Sequence, residues 1–149
     1  MNIYVFTSAS VTNIWAGIGA HKWAVSRAQA ANSSIRSKSE NVEIGSFGIF
    51  YCVETKSLTT PFILRSKPHI SDVVRNVWAD TWELPFKIIP LGTPNKSIST
   101  DRLSTLLPSL KSGNGRWDLL FHFQPITVFA PSQITSADWT ILIENLTEA

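Results

Sequence analysis

The segment from Gly45 to Val53 constrains the fold more than any other. Phe47, Ile49, Tyr51 and Val53 alternate with Gly48, Phe50 and Cys52, and both sets are largely apolar. A strand that is apolar on both faces must be covered on both, so it belongs at the centre of a sheet or in a barrel wall. The rest of the chain has to supply neighbouring strands and two covering layers. Ile3 to Phe6 is a β-branched and aromatic run ending at Thr7-Ser8, which predicts a first strand. Lys56-Ser57 makes a turn, and Thr60 to Leu64 pairs back as a hairpin that stops at Pro68. Phe86 to Leu91 is a further strand, with Pro90 placing its end at an edge.

Helical signals lie between and after these runs. Ala24 to Ala31 contains Ala-Gln-Ala-Ala and reads as a helix stopped by Ser33-Ser34. Ser8 to Gly19 is small or polar with two glycines, which predicts a loop with one helical turn at most; Arg36 to Asn41 reads as a polar linker. Ser99-Thr100-Asp101 caps a helix from about Asp101 to Leu107, closed by Pro108. Leu119 to Phe129, broken by Pro125, reads as one bent strand or two short ones. Ser136 then caps a helix over Ala137 to Leu146, whose Trp139, Leu142, Ile143 and Leu146 fall on one face. The expectation is one α+β domain over residues 1–149, built around a small sheet. A chain of this size buries roughly 70% of its unfolded surface, so it needs no disulfide or metal to fold.

Composition narrows the chemistry. Cys52 is the single cysteine and sits in the apolar strand, which excludes an internal disulfide and a cysteine-rich zinc site. His21, His69 and His122 are far apart and share no helical spacing, so no metal site is expected. No stretch approaches the ~20 apolar residues of a membrane span, and the N-terminal run lacks the basic flank of a signal peptide. A soluble cytoplasmic protein with no membrane partner is the expectation.

Catalytic groupings are not visible. No Gly-x-Ser-x-Gly occurs, and Gly17-Ile18-Gly19 and Gly113-Asn114-Gly115 lack the further residues of a phosphate-cradling loop. Asp80 and Glu83 flank Trp82 but read as surface residues at a loop mouth. No cofactor is implied.

What does assemble is basic and aromatic. Lys22, Arg27, Arg36 and Lys38 occur with no acid between them, and Trp23 stands among them, followed by the small Ala24, Val25 and Ser26. Small neighbours leave an indole face open and let backbone amides approach a planar ligand. Trp78 and Trp82 bracket Ala79-Asp80-Thr81 in a loop between strands. Loop aromatics beside cations suit capture of a single base, by stacking for the base and by charge for the phosphates. The net charge of +2 and pI near 8.9 are only weakly basic.

These residues resemble the PUA-like superfamily, and within it the EVE and YTH domains that bind modified bases. The resemblance rests on an opening strand ending in Ser8, a spacer containing Asn13, and Lys22-Trp23-Ala24-Val25-Ser26. It continues through Phe47 to Val53, Arg65-Ser66-Lys67-Pro68, and Val77-Trp78-Ala79-Asp80-Thr81-Trp82-Glu83-Leu84-Pro85-Phe86. It covers about the first 90 residues; the last third is nearer to EVE-type domains of modification-dependent restriction systems. The resemblance implies a PUA-like fold and a base flipped into an aromatic cage. Trp23 and Trp78 would be its walls and Leu84 its lid, with Asn13 on the base edge, Ala24 lending its backbone, and Ser8 beside them. Lys22, Arg27, Arg36 and Lys38 would follow the nucleic-acid backbone. Trp82 would pack the loop and Trp139 the core, while Trp15 and Trp117 have no assigned place. Ala9 stands where readers of N6-methyladenine often carry Asn, so that hydrogen-bond pattern does not transfer directly.

Three functions follow. The first is a binding module, not an enzyme, that reads a methylated or hydroxymethylated cytosine or an N6-methyladenine in DNA, with a nuclease or NTP-driven motor as partner. The second is a module for modified RNA. The third is a PUA-like hydrolase of modified nucleosides, which needs a lysine and a carboxylate in one pocket; Lys22 and Glu43 are the conceivable pair.

Overall fold

The computed structural model describes residues 1–111, 116–121 and 124–148. Its strands are β1 (Ile3–Ser8), β2 (Lys22–Ser26), β3 (Phe47–Cys52), β4 (Ser57–Leu64), β5 (Val73–Val74), β6 (Trp82–Pro90) and β7 (Ser97–Ser99). The main path runs β1-β3-β4-β6-β2, with β5 paired to β6 and β7 to β4. β1 and β3 are parallel, with Ile3 opposite Phe47 and Ser8 opposite Cys52, and every other pairing is antiparallel. The double-sided strand lies inside the sheet, as its alternation requires. Tyr4, Phe6, Phe50 and Cys52 enter one apolar cluster; Ile3, Val5, Ile49 and Tyr51 enter another on the opposite face.

Pro61 in β4 and Pro85 in β6 sit in mid-strand because each is part of a bulge, where a ladder donor is not required. Between the pairs Gly48–Phe62 and Phe50–Thr59, Ile49 faces both Thr60 and Pro61. Between Trp23–Phe86 and Val25–Glu83, Ala24 faces both Leu84 and Pro85. Thr60 and Leu84 each adopt φ 53, a left-handed conformation that is rare for a β-branched or bulky residue. Each such residue stores on the order of 1–3 kcal/mol that the surrounding packing must offset. The extra residue in β4 also reverses which face its even-numbered side chains occupy: Leu58 joins the second cluster, Phe62 and Leu64 the first. The change coincides with a change of neighbour, since Ser57–Thr59 pair with β7 and Phe62–Leu64 with β6. The sheet therefore curls into a half-barrel around the aromatic cluster.

Short helices cover both faces. α1 (Val11–Ala20), α2 (Arg27–Ala31) and α3 (Ser33–Glu40) bring Ile14, Ala30 and Ile35 to the first cluster. α4 (Leu103–Leu106), α5 (Pro108–Lys111), α6 (Trp117–Phe121) and α7 (Ser136–Leu146) bring Leu103, Leu110, Phe121, Trp139, Leu142 and Leu146 to the second. Trp139 is thus core, as its helical face predicts. Trp117 packs at a tilt against Tyr51 with ring centroids 5.5 Å apart, and Trp15 is exposed on α1.

Several local expectations are corrected. The glycine-bearing segment after Ser8 is the helix α1: Ser10 Oγ accepts from the Asn13 amide at 3.1 Å, and Glu54 Oε1 accepts from the Val11 amide at 3.0 Å. Ala24 to Ser26 is strand, not helix, because pairing with β6 overrides alanine propensity. Helix α2 begins only at a capping box between Ser26 and Gln29. The supposed linker is most of α3, capped by Asn32 Oδ1 on the Ile35 amide at 3.1 Å and anchored by buried Ile35 and Ser39. Residues 100–107 form a 3-10 turn (Thr100–Arg102) running into α4, and Pro108 also opens α5. Among its described residues, Leu119 to Phe129 holds the end of α6 and a 3-10 turn (Pro125–Thr127) instead of strands; a short apolar run does not distinguish helix from strand by periodicity. The turn Gly113-Asn114-Gly115 and His122 lie outside the described residues.

α7 is capped by Thr135, whose Oγ1 accepts from the Asp138 amide at 3.2 Å while Asp138 accepts from the Thr135 amide at 3.2 Å. Asp138 is fully buried and also accepts from the Ser109 amide at 3.0 Å and the Ser109 hydroxyl at 2.6 Å. Burial alone would raise its pKa, but the bonds from Ser109 and Thr135 together outweigh burial and hold it below the usual carboxylate value. No helix among the described residues is long and apolar enough to cross a membrane, and no group of His, Cys, Asp or Glu among them could hold a metal ion.

Candidate nucleobase site

Three tryptophans converge where β2 meets β6. Trp23 is buried and packs edge-on against Phe50 at 4.5 Å and Trp78 at 5.2 Å. Trp82 lies 6.4 Å from Trp23 at an interplanar angle of 43°, and 5.8 Å from Trp78. Trp78 is locked from beneath: its Nε1–H donates to the Asn13 carbonyl at 2.9 Å, tying the loop before β6 to α1. Edge-to-face contact leaves no slot between Trp23 and Trp78. Trp82 is half-buried at the start of β6, opposite Ser26 in register.

A cavity of about 400 Å³ opens on this cluster. Trp23, Ala24, Val25 and Ser26 form one side, Thr7 and Ala9 come from the end of β1, Ala28 and Gln29 from α2, and Trp82 from β6. This is an apolar cleft of ligand size with a few polar groups at its edge. Gln29 Oε1 accepts from the Ser26 amide at 3.1 Å, so the capping box that starts α2 also shapes the cavity rim.

The sequence-predicted site residues divide between this cavity and its support. Trp23 and Ala24 line it, and Ala24 faces the β6 bulge with no register partner. Trp78 is packed beneath, in contact with both lining tryptophans. Leu84 is the left-handed bulge residue, buried in the aromatic core. Asn13 sits on α1 and meets Trp78 through its backbone. Ser8 is buried, its hydroxyl donating to the Ser10 carbonyl at 2.8 Å, while its neighbours Thr7 and Ala9 reach the cavity. Trp82, Thr7, Ser26 and Gln29 were not in the predicted set. The signal for Trp82 is its register with Ser26, which exists only once β2 is a strand.

The predicted cations also separate. Arg27 stands beside the cavity residue Ala28 with Nε 3.3 Å from Glu83 Oε2. Arg36 is on α3, its Nη1 donating to the Ala30 carbonyl at 3.4 Å, and Lys38 is in the last turn of the same helix. Lys22 is at the other end of β2, on a separate surface with Lys87 and Arg65. Glu43 lines neither of the cavities that Lys22 lines, so the geometry does not bring this pair into one pocket.

The arrangement is thus a curled α+β half-barrel with a tryptophan-walled cavity at one strand junction. No family model matches the sequence, and no curated protein matches it. Solved structures do. The chain is similar to the Mmi1 YTH domain (TM-score 0.58, 11% identity, covering 96% of this chain and 73% of that one). It is similar to the YTH domain of the Zygosaccharomyces rouxii MRB1 protein, solved with N6-methyladenosine RNA (TM-score 0.54, 13% identity, 74% and 70% covered). The YTH domain of Toxoplasma CPSF4, solved with an m6A-modified RNA, is a third (TM-score 0.52, 16% identity, 68% and 66% covered). The chain has the fold of YTH domains, as the sequence resemblance implies.

Proposed function

We propose that this chain is an RNA-binding module that captures one modified base, N6-methyladenine being the favoured class, in the cavity between Trp23 and Trp82. One observation carries the reading: both indoles line the same cavity with ring centroids 6.4 Å apart, over the buried Trp78. Two stacking contacts need about 7 Å between parallel rings, so Trp82 admits a planar base by turning through the 43° that separates the two indole planes and moving slightly outward. Trp78 and the apolar wall beside it suit a methyl group at the base edge. Thr7, Ser26 and Gln29 offer polar atoms at the rim.

The sequence resemblance leaned toward DNA and restriction systems. Two of the fold relatives were solved with N6-methyladenosine RNA, which supports the RNA reading over the DNA one. The nuclease or motor partner that accompanied the DNA reading has no support among them. Extruding a base from a duplex costs a few kcal/mol, whereas a base in a single strand is already free to splay out. These relatives are YTH domains solved in complex with methylated RNA, which supports a module that binds such a ligand.

The test is a binding panel of single-stranded RNA with and without N6-methyladenosine, and duplex DNA with and without 5-methylcytosine. Preference for methylated RNA, lost in Trp23→Ala and Trp82→Ala, is the expected result. Equal affinity for all four ligands, unchanged in both variants, overturns it.

A further inference from the structure

The sheet carries a row of three cations that form no ion pair among the described residues. Lys22 on β2 is directly opposite Lys87 on β6. On the other side of β6, Leu64 pairs with Ile88, and the Arg65 amide donates to the Lys87 carbonyl at 2.8 Å, which sets Arg65 beside Lys87. Lys22, Lys87 and Arg65 therefore cross three adjacent strands in one line, about 10 Å long at the usual strand spacing. Like charges directly opposite in a sheet are destabilising.

The flanks of the row are concave. His21, Lys22, Arg65 and Lys87 line a hollow of about 410 Å³ on one side. Lys22 and Lys87 also line one of about 350 Å³ with Ser66, Lys67 and His69. Asp72 is the acid on that second rim, 3.5 Å from His69 Nδ1. The His21 carbonyl accepts from the Ile88 amide at 3.0 Å, and Ser66 Oγ accepts from the Lys87 amide at 2.8 Å, so one backbone bond and one bond from backbone to side chain fix the groove walls.

We propose that the Lys22–Lys87–Arg65 row is a phosphodiester-binding groove that holds the RNA strand whose base enters the tryptophan cavity. This rests on the RNA reading above. Lys22 points to the outer face of the sheet while its neighbour Trp23 points into the core, and β2 ends the strand path. From Lys22 to the cavity residue Ser26, β2 spans only about 13 Å, so an extended strand passes around that edge from the row to the cavity in a few nucleotides. A line of cations between hollows suits successive phosphates and sugars better than the flat surface of a bilayer.

The experiment uses Lys22→Gln/Arg65→Gln/Lys87→Gln, which relieves repulsion and should melt no lower than the parent. Binding of methylated and unmethylated single-stranded RNA is measured at several salt concentrations, with vesicles rich in anionic phospholipid as a separate arm. The expected result is weaker binding of both RNAs by the same factor. The slope of log K against log salt becomes shallower by about 2, or ~0.7 for each of three phosphate contacts. The ratio between methylated and unmethylated RNA does not change. Trp82→Ala should do the reverse, lowering the ratio while keeping the slope. An unchanged slope in the triple variant overturns the groove, as does loss of vesicle binding with RNA binding intact. A shallower slope with no methyl preference in the parent overturns the base pocket and leaves the groove standing.

Discussion

Gly17 and Trp23 are in contact across the space that a methyl group would fill: a Cβ on Gly17 would lie 2.9 Å from Cε3 of Trp23 and 3.0 Å from the Lys22 carbonyl. The glycine that makes α1 look like a loop in the sequence is what lets the helix lie against the cavity wall. Trp23 is held in place by that backbone on one side and by Phe50 on another.

Gly17→Ala should therefore lose stability despite the gain in helix propensity, by roughly 1–3 kcal/mol for overpacking. Gly19 is in the same helix with nothing within 4 Å of its Cβ position, so Gly19→Ala should gain up to ~1 kcal/mol. Urea melts of the two variants check the contrast. In Gly17→Ala the preference for methylated RNA should also fall, because Trp23 moves.

The tryptophans should separate by role. Trp82→Ala removes a half-buried wall and should cost about 1–3 kcal/mol of binding with a smaller effect on the melting temperature. Trp78→Phe removes the indole N–H from the Asn13 carbonyl and should cost about 1 kcal/mol of stability. Titration calorimetry paired with thermal melts distinguishes them. Equal loss of stability in both variants would contradict the assignment of Trp82 as a wall.

Gly48 is opposite Phe62, and a Cβ there would collide with the ring. Gly48→Ala should destabilise the protein by several kcal/mol, beyond the usual range of a surface change. Adding Phe62→Leu should recover part of the loss. A double-mutant cycle reads the coupling, which ought to exceed ~0.5 kcal/mol for residues in contact.

Asp138 predicts acid sensitivity of the C-terminal helices. Its folded pKa is depressed, so its contribution is complete above the unfolded carboxylate value of about 3.9 and is lost as pH falls through the folded value. The melting temperature should drop across this acid window. Asp138→Asn should melt lower at pH 7, with the gap to the parent closing at low pH. A gap that stays constant to pH 2 would mean that the carboxylate is not held by Ser109 and Thr135 as described.

What the sequence determined by itself was whatever rests on local periodicity. The two-sided alternation around Phe50 placed β3 inside a sheet, the run at Ile3 formed β1, and the helical spacing of Trp139, Leu142 and Leu146 put α7 on the core. The family resemblance followed from the order and spacing of the strand ending in Ser8, the segment Lys22 to Ser26, the strand Phe47 to Val53 and the segments Arg65 to Pro68 and Val77 to Phe86. Tertiary structure decided the rest, wherever local preference is weak or opposed. Ala24-Val25-Ser26 is strand because β6 supplies its partners, and α1 is a helix because Ser10 and Glu54 satisfy its first amides. The roles of the tryptophans were decided in the same way. Trp78 hydrogen-bonds to Asn13 across 65 positions of chain, while Trp82 is paired with Ser26 at the mouth of the cavity. Spacing along the chain can place an indole in a loop, but the direction it faces is set by a bulge at Leu84 and by partners distant in sequence.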